Sequence, residues 1–226
     1  GGEPTRVGAS VGDVIAGLFT TIGVSMALYH RAMTGEGQKI DVSMLDCQVA
    51  VLENAISRYL VNGEVPGPIG NRHPSITPFE GFTASDGYVI VGAGNDRLWK
   101  KLCELLGKPE LTTDPRFVTN GDRTNNQKAL KPILDSVFKT KTIDAWLVVL
   151  EEAGIPCAPI NTVDRVLKDP QIKARNMIVE VEHPVAGKMH IPGVPIKMSQ
   201  TPGTVEKAAP LLGQHTEEIL SEMLGY

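Results

Sequence analysis

The chain has 226 residues and 42% hydrophobic content, enough for one large domain or two small ones with a buried core, so a chain disordered throughout is not expected. Its 22 Lys and Arg residues against 26 Asp and Glu residues give a net charge of −4 without a long basic run, which argues against nucleic acid and anionic membranes as partners. The three cysteines, Cys47, Cys103 and Cys157, lack the spacing of a disulfide framework or zinc site, which predicts reduced thiols in the cytoplasm or a mitochondrial matrix.

The most apolar stretch covers residues 11–29 and is about as long as a membrane span. It contains Asp13, several hydroxyl residues and three glycines, and an acidic residue near the end of a span is costly. We therefore predict a buried helix of a soluble protein. Asp13 precedes the apolar run, as N-cap residues do, so the helix is expected to begin there and to end at Gly35.

A short strand and a long amphipathic helix are predicted next. Residues 39–42 alternate polar with apolar side chains, as a strand does. Ser43 and Asp46 have the spacing of a capping box, and apolar residues then recur at helical intervals up to Gly63. Residues 63–78 are too rich in Gly and Pro for either regular element, which indicates a linker.

The second half of the chain reads as alternating hairpins and helices. A hairpin is expected from two apolar runs, residues 79–83 and 88–91, around an Asp-Gly turn. Periodic apolar residues predict helices over 96–106, 127–139 and 142–153, although Pro132 lies inside the second. A further hairpin (177–182 with 189–191), an irregular tether (200–209) and a C-terminal helix (219–224) complete the prediction.

No metal or dinucleotide site is predicted. The five histidines form no i, i+4 pair, and the Gly92-Ala93-Gly94 run lacks the third glycine of a dinucleotide fingerprint. His73, in the linker, is interpreted as a turn histidine that could also approach an active site.

Asp13 is the residue whose sequence context is best suited to catalysis. As a helix cap it would contribute about 1 kcal/mol through hydrogen bonds from backbone N–H groups. The same geometry also suits a nucleophile, because the helix dipole keeps the carboxylate ionised and the small residues Gly12 and Gly17 leave room for a substrate. Both interpretations remain open on the residue pattern.

Five segments in order resemble class III CoA-transferases of the CaiB/BaiF type, over essentially the whole chain. They are Val-Gly-Ala-Ser-Val-Gly-Asp-Val-Ile-Ala-Gly (7–17), Ala-Leu-Tyr-His-Arg-Ala-Met-Thr-Gly-Glu-Gly-Gln-Lys-Ile-Asp-Val (27–42), Asp-Gly-Tyr-Val (86–89), Gly-Ile-Pro-Cys-Ala-Pro-Ile-Asn (154–161) and Pro-Leu-Leu-Gly-Gln-His-Thr (210–216). The resemblance implies an interlocked-ring homodimer. It also implies that about the N-terminal half of a usual member, with most of the CoA-binding surface, is absent from this sequence.

The fold implied by the resemblance is α/β, with part of a doubly wound large domain and a smaller α/β domain. Residues 1–62 would belong to the large domain and carry the nucleophile helix. Residues 63–78 would form the linker, 79–185 the small domain, and 186–226 a return segment whose C-terminal helix packs on the large domain.

The activity implied by the resemblance is CoA transfer from an acyl-CoA to a small carboxylic acid. Asp13 would form an aspartyl anhydride and then an aspartyl-CoA thioester, and a loop containing Gly92, Gly94 and Asn95 would shield these intermediates from water. Coenzyme A would act as a thioester substrate, with no permanently bound cofactor and no metal. The loop composition favours a dicarboxylate-type member with a succinyl-CoA donor.

Two alternatives remain open. The family fold also hosts 2-methylacyl-CoA racemases, which use an Asp at the position of Asp13 and a Glu where this chain has Asn95; Asn has no titratable proton, which favours acyl transfer. Alternatively, the polypeptide as given is an inactive folding or interaction module, because a nucleophile without a CoA pocket is not oriented.

Overall fold

The computed structural model describes residues 5–226, which form helices and two small antiparallel sheets. The chain divides into two compact units. One comprises the residues up to Gly81 together with Gly92–Pro132, and the other comprises Phe82–Val91 with Ile133–Tyr226. The domain boundaries implied by the family resemblance refer to a complete protein and stay a prediction.

The first helix, α1, extends over Val11–Thr34. It ends as predicted at Gly35, whose positive φ of 81° lets its N–H donate to Arg31 O at 2.8 Å. Its start was predicted wrongly. The N-cap is Ser10, because the first helical hydrogen bond runs from Val14 N to Ser10 O at 3.0 Å, and Asp13 therefore lies within the first turn.

The prediction of a buried α1 is also wrong for the described chain, in which no residue of this helix is buried. Apolar side chains such as Leu18, Ile22 and Tyr29 are 59%, 55% and 70% exposed. Within the described chain the next helix, Met44–Ala50, packs against α1 and leaves these side chains exposed. By length and composition α1 could also cross a membrane, a test that helices covered by other parts of a protein pass as well.

Two shorter helices replace the long one predicted after Ser43. They are α2 (Met44–Ala50) and α3 (Asn54–Asn62). The helical conformation is interrupted between them at Glu53, whose φ is 49°. Ser43 caps α2 as predicted, accepting from Asp46 N at 3.3 Å. The strand predicted at residues 39–42 does not form, since the structure provides no neighbouring strand to receive its backbone hydrogen bonds.

The predicted hairpin is confirmed as β1 (Phe79–Ala84) and β2 (Gly87–Gly92). A strand that sequence analysis missed, β3 (Cys157–Pro159), pairs antiparallel with β2 and completes a sheet of order β1-β2-β3. As predicted, residues 63–78 contain no helix or strand, and their role as a linker between domains stays a prediction. This segment ends in a cis peptide bond between Thr77 and Pro78.

The remaining helices mostly follow the predictions. The predicted α4 (Asp96–Leu105), α6 (Gln127–Phe138, containing Pro132) and α7 (Ile143–Glu152) are confirmed. Additional short helices are α5 (Asn120–Asn125), α8 (Val163–Lys168), α9 (Pro170–Ala174) and a 3₁₀ turn, Pro109–Thr112. The second hairpin is confirmed as β4 (Ile178–His183) with β5 (Gly187–Pro192), and the C-terminal helix is a single π-helical stretch, Glu218–Met223.

Each unit has its own core. In the first unit the core gathers around Trp99, Leu102 and Phe117, all nearly or fully buried. In the second, Phe138 stacks on Phe82 at 4.7 Å and lies 4.9 Å from the ring of Trp146. The indole N–H of Trp146 donates to Phe138 O at 2.6 Å, so this large side chain is buried without losing a hydrogen bond.

Candidate active site

Asp13 lies exposed on the first turn of α1. Within the described residues its carboxylate makes no hydrogen bond or ion pair, so it does not act as a cap. The backbone N–H groups of Gly12 and Asp13 also have no acceptor in this part of the chain. The first turn therefore presents a carboxylate and two unpaired donors at the positive end of a 24-residue helix.

The two glycines beside Asp13 have different surroundings. A Cβ atom at Gly12 would lie 3.4 Å from Cδ of Gln48, which extends from α2. At Gly17, one turn after Asp13 on the same helix face, an added Cβ atom would have no described atom within 4 Å apart from its chain neighbours and the backbone of its own helix. The helix surface near Asp13 is thus open at Gly17 and occupied by the Gln48 side chain at Gly12. A mostly apolar groove of about 370 Å³ lies further along α1, with a lining that includes Phe19, Gly23 and Cys47 but not Asp13.

The second predicted element, the loop of residues 92–95, is a tightly held strand-to-helix turn. Ala93 is fully buried, and its N–H donates to Pro78 O at 2.8 Å. A Cβ atom on Gly94 would overlap Cγ2 of Ile76. Asn95 is the N-cap of α4, and its Oδ1 accepts from Leu98 N at 2.9 Å. No hydrogen bond or ion pair joins Asp13 to this loop within residues 5–226.

Sequence reasoning missed the residue that holds this loop, Arg123 of α5, which is 0% exposed. Its guanidinium stacks on Trp99, with Cζ 5.1 Å from the ring centroid. Burial lowers the pKa of Arg123, and the hydrogen bond to Asp96 acts in the opposite direction. Its acceptors and donor–acceptor distances are Thr77 O (2.7 Å), Gly94 O (2.7 Å), Val118 O (3.0 Å), Phe117 O (3.1 Å) and Asp96 Oδ1 (3.2 Å).

No local signal marks Arg123 for burial, because it sits in the polar run Thr-Asn-Gly-Asp-Arg-Thr-Asn-Asn, which reads as a surface segment. The capping box formed by Thr119 and Asp122 was a recognisable signal for the helix start. That helix then points the arginine inward, which only the tertiary structure reveals.

His73 has the contacts of a turn histidine. Its ring stacks on Phe79 at 5.6 Å, and Nδ1 accepts a hydrogen bond from Ser75 N at 3.2 Å. Among residues 5–226, no group of three or more His, Cys, Asp or Glu side chains is arranged to hold a metal ion. The three cysteines are free thiols.

Comparison with known proteins gives a consistent family assignment. The sequence profile described as "CoA-transferase family III" matches residues 1–216. The chain is 36% identical to the succinyl-CoA:glutarate CoA-transferase of Homo sapiens, covering 100% of this chain and 51% of that protein. It is 43% identical to the acetyl-CoA:oxalate CoA-transferase of Acetobacter aceti, covering 88% of this chain and 50% of that protein. The chain therefore spans about half the length of these relatives.

Solved structures share the fold. A CAIB/BAIF family protein from Brucella suis matches with a TM-score of 0.81 and 38% identity, over 98% of this chain and 57% of that one. The protein Rv3272 from M. tuberculosis matches with a TM-score of 0.80 and 25% identity, over 95% of this chain and 56% of that one. The mixed α/β structure thus resembles the CaiB/BaiF fold.

Proposed function

Because the chain belongs to CoA-transferase family III, we propose that the complete protein moves CoA from an acyl-CoA donor to a small carboxylic acid, with Asp13 as the covalent nucleophile. The observation that carries this proposal is the exposed carboxylate of Asp13 on the first turn of α1, which has no partner among residues 5–226. A carboxylate committed to capping would have to lose that hydrogen bond before it could attack.

In the first half of the proposed reaction, a carboxylate oxygen of Asp13 attacks the thioester carbonyl carbon. The C–S bond breaks, which leaves an aspartyl anhydride and CoA thiolate. The thiolate then attacks the aspartyl carbonyl, which releases the donor acid as a carboxylate and leaves an aspartyl-CoA thioester. The acceptor carboxylate runs the same steps in reverse, and the Asp13 carboxylate is restored.

The first turn of α1 offers what these steps need from the protein. Each attack creates an oxyanion, and the unpaired N–H groups of Gly12 and Asp13 are donors of the kind that stabilise such a charge. The open space at Gly17 supports approach of the thioester from that side. An exposed carboxylate is a weak nucleophile in water, so substrate and further polypeptide must exclude solvent during the reaction.

We assign the substrates by class. The relatives that name succinyl-CoA, glutarate and oxalate support a short acyl-CoA donor, such as succinyl-CoA, and a small dicarboxylic acid acceptor. The loop containing Gly92, Gly94 and Asn95 is proposed to shield the anhydride from water. Its tight packing supports a fixed wall in this chain in place of a mobile lid.

The complete protein is proposed to be an interlocked homodimer in which residues 1–62 and 186–226 join the large doubly wound domain and 79–185 form the small one. The exposed apolar side chains of α1 support this arrangement, because such a surface is stable when further polypeptide covers it. The three free thiols support a reducing compartment, the cytoplasm or a mitochondrial matrix.

Racemisation is the less favoured activity because of Asn95. Its side-chain oxygen accepts a hydrogen bond from Leu98 N, and its amide group acts as neither a general acid nor a general base towards a substrate α-carbon at neutral pH.

Substitution of Asp13 in the complete protein tests the proposal. Asp13→Asn and Asp13→Ala should abolish formation of the acceptor-CoA thioester, measured by chromatography with succinyl-CoA and a dicarboxylic acid. Glu36→Gln is the matched control, because Glu36 is also exposed and its carboxylate has no partner within the described chain. Appreciable transfer by both Asp13 variants would overturn the assignment.

A further inference from the structure

Arg123 is buried completely, whereas Asp96, the carboxylate with which it forms a salt bridge, has a side chain that is 70% exposed. Removing a guanidinium from water is costly, and an apolar side chain of similar size would fill the same space with less desolvation. Filling volume therefore does not explain an arginine at this position. The directed hydrogen bonds of its guanidinium do, because four of the five go to backbone carbonyl oxygens that an apolar side chain would leave unpaired.

These hydrogen bonds join segments that are far apart in sequence. The two shortest, both 2.7 Å, reach Thr77 O at the end of the linker and Gly94 O in the 92–95 loop. Thr77 is also held by Asn120, the first residue of α5, because the N–H of Thr77 donates to Asn120 Oδ1 at 3.0 Å. Arg123 thus fixes the loop relative to the linker end, and α5 supplies the frame.

The loop is also held from its other side. Ile76 packs so closely against the Cα of Gly94 that a methyl group there would overlap its Cγ2. Gly94 is therefore held at its carbonyl oxygen by Arg123 and at its Cα by Ile76. Any side chain at position 94 would force Ile76 or the loop to shift.

We propose that Arg123 is a positioning residue that holds the 92–95 loop where it shields the aspartyl anhydride, and so directs that intermediate to CoA thiolate rather than to water. The inference rests on the proposed function. In the unwanted reaction, water attacks an anhydride carbonyl and the C–O bond to the other acyl group breaks. Asp13 and the donor acid both return as carboxylates, and of the two protons released one is taken by CoA thiolate and the other by solvent.

The ratio of hydrolysis to transfer is the readout, because a variant that merely lowers the amount of folded enzyme reduces both rates equally. In the complete protein, succinyl-CoA and a dicarboxylic acid are supplied, and free CoA and acceptor-CoA are measured in parallel. Arg123→Met should raise the ratio about tenfold, which corresponds to about 1.4 kcal/mol between the two barriers. Arg123→Lys keeps the positive charge and a single ammonium group that can donate hydrogen bonds, so it should raise the ratio of hydrolysis to transfer less than Arg123→Met does.

Arg116→Met is the matched control, because Arg116 is an exposed arginine that pairs with Asp114 and packs over Phe117. Its ratio should equal that of the wild type. Gly94→Ala tests the same loop without touching the buried charge, and it should also raise the ratio. Adding Ile76→Ala should restore it, because the side chain that the new methyl group overlaps is then removed.

The outcomes separate the two proposals. A wild-type protein that forms no acceptor-CoA would overturn both. A wild type that transfers, with an unchanged ratio in folded Arg123→Met, would overturn the inference alone. If Arg123→Met does not fold, an unchanged ratio in Gly94→Ala overturns it, and a raised ratio that Ile76→Ala reverses supports it.

Discussion

The side-chain oxygen Oδ1 of Asn95 accepts a hydrogen bond from the backbone N–H of Leu98 at 2.9 Å. The last residue of the candidate loop is therefore also the N-cap of α4. Because Asn95 belongs to both elements, the loop is fixed to α4, a helix whose buried residues include Trp99 and Leu102. The loop is thus held at Asn95 by a cap and at Gly94 by Arg123.

The cap predicts a measurable loss of stability on substitution. Asn95→Ala should lower the free energy of unfolding by about 1 kcal/mol, because Leu98 N loses its acceptor. Asn95→Asp should retain most of the stability, since a carboxylate caps equally well. Urea denaturation followed by circular dichroism measures both. Equal stability of Asn95→Ala and the wild type would show that the cap contributes nothing.

Solvent isotope exchange separates transfer from racemisation, because the wild-type protein carries an Asn without a titratable group at position 95. We expect the wild-type protein to transfer CoA without deuterium incorporation at the α-carbon of a 2-methylacyl-CoA in D₂O, measured by NMR. Deuterium incorporation by the wild-type protein without any acid acceptor would support the racemase instead.

Substitution of Gly17 by alanine is expected to stabilise the protein and to weaken substrate binding. Gly17→Ala should raise the free energy of unfolding by up to about 1 kcal/mol, because alanine favours a helix and the structure has room for its methyl group. The same methyl group narrows the approach to Asp13, so KM for the acyl-CoA should rise. Ser25→Ala, elsewhere on α1, is the control and should leave KM unchanged. An unchanged KM in Gly17→Ala would place the substrate elsewhere.

The buried thiol of Cys103 predicts a loss of stability at alkaline pH. Burial raises its pKa from 9.0 to about 12. Below pH 9 the thiol is protonated whether the chain is folded or unfolded, so its contribution to stability is fully present. As pH rises from 9 towards 12, the unfolded chain loses this proton first, and stability falls by at most about 1.4 kcal/mol per pH unit from this group.

Cys103→Ala isolates that effect, since the other groups that titrate in the same range remain. The difference in unfolding free energy between wild type and Cys103→Ala should stay constant below pH 9 and shrink above it. Urea titrations across this range provide the measurement. Parallel pH curves for the two proteins would contradict the raised pKa.

Local chemistry explains which elements the sequence predicted well. Gly35 and Gly63 end their helices with positive φ, and the Asp-Gly turn at residue 87 closes the hairpin, because few other residues adopt these conformations easily. Asn95 and Thr142 precede apolar periodic runs and cap them, so α4 and α7 could be placed closely. These signals act within a few residues of the chain.

The elements that were missed depend on partners distant in sequence. The three-residue strand β3 exists because β2 supplies its hydrogen bonds, whereas residues 39–42 have strand-like alternation but no such neighbour among the residues that the structure describes. The buried helix predicted for α1 failed for the same reason, since burial requires surfaces that the described chain does not supply. Asp13 could be singled out from the glycines around it, but Arg123 could not, because its acceptors come from residues as far away as Thr77.

The central claim is that the carboxylate of Asp13 becomes covalently acylated. Mass spectrometry of the complete protein, treated with acyl-CoA and then trapped with hydroxylamine, tests it most directly. We predict a hydroxamate on the peptide that contains Asp13, absent without acyl-CoA and absent in Asp13→Asn. A modification on a different residue, or full transfer activity with this peptide unmodified, would contradict the account.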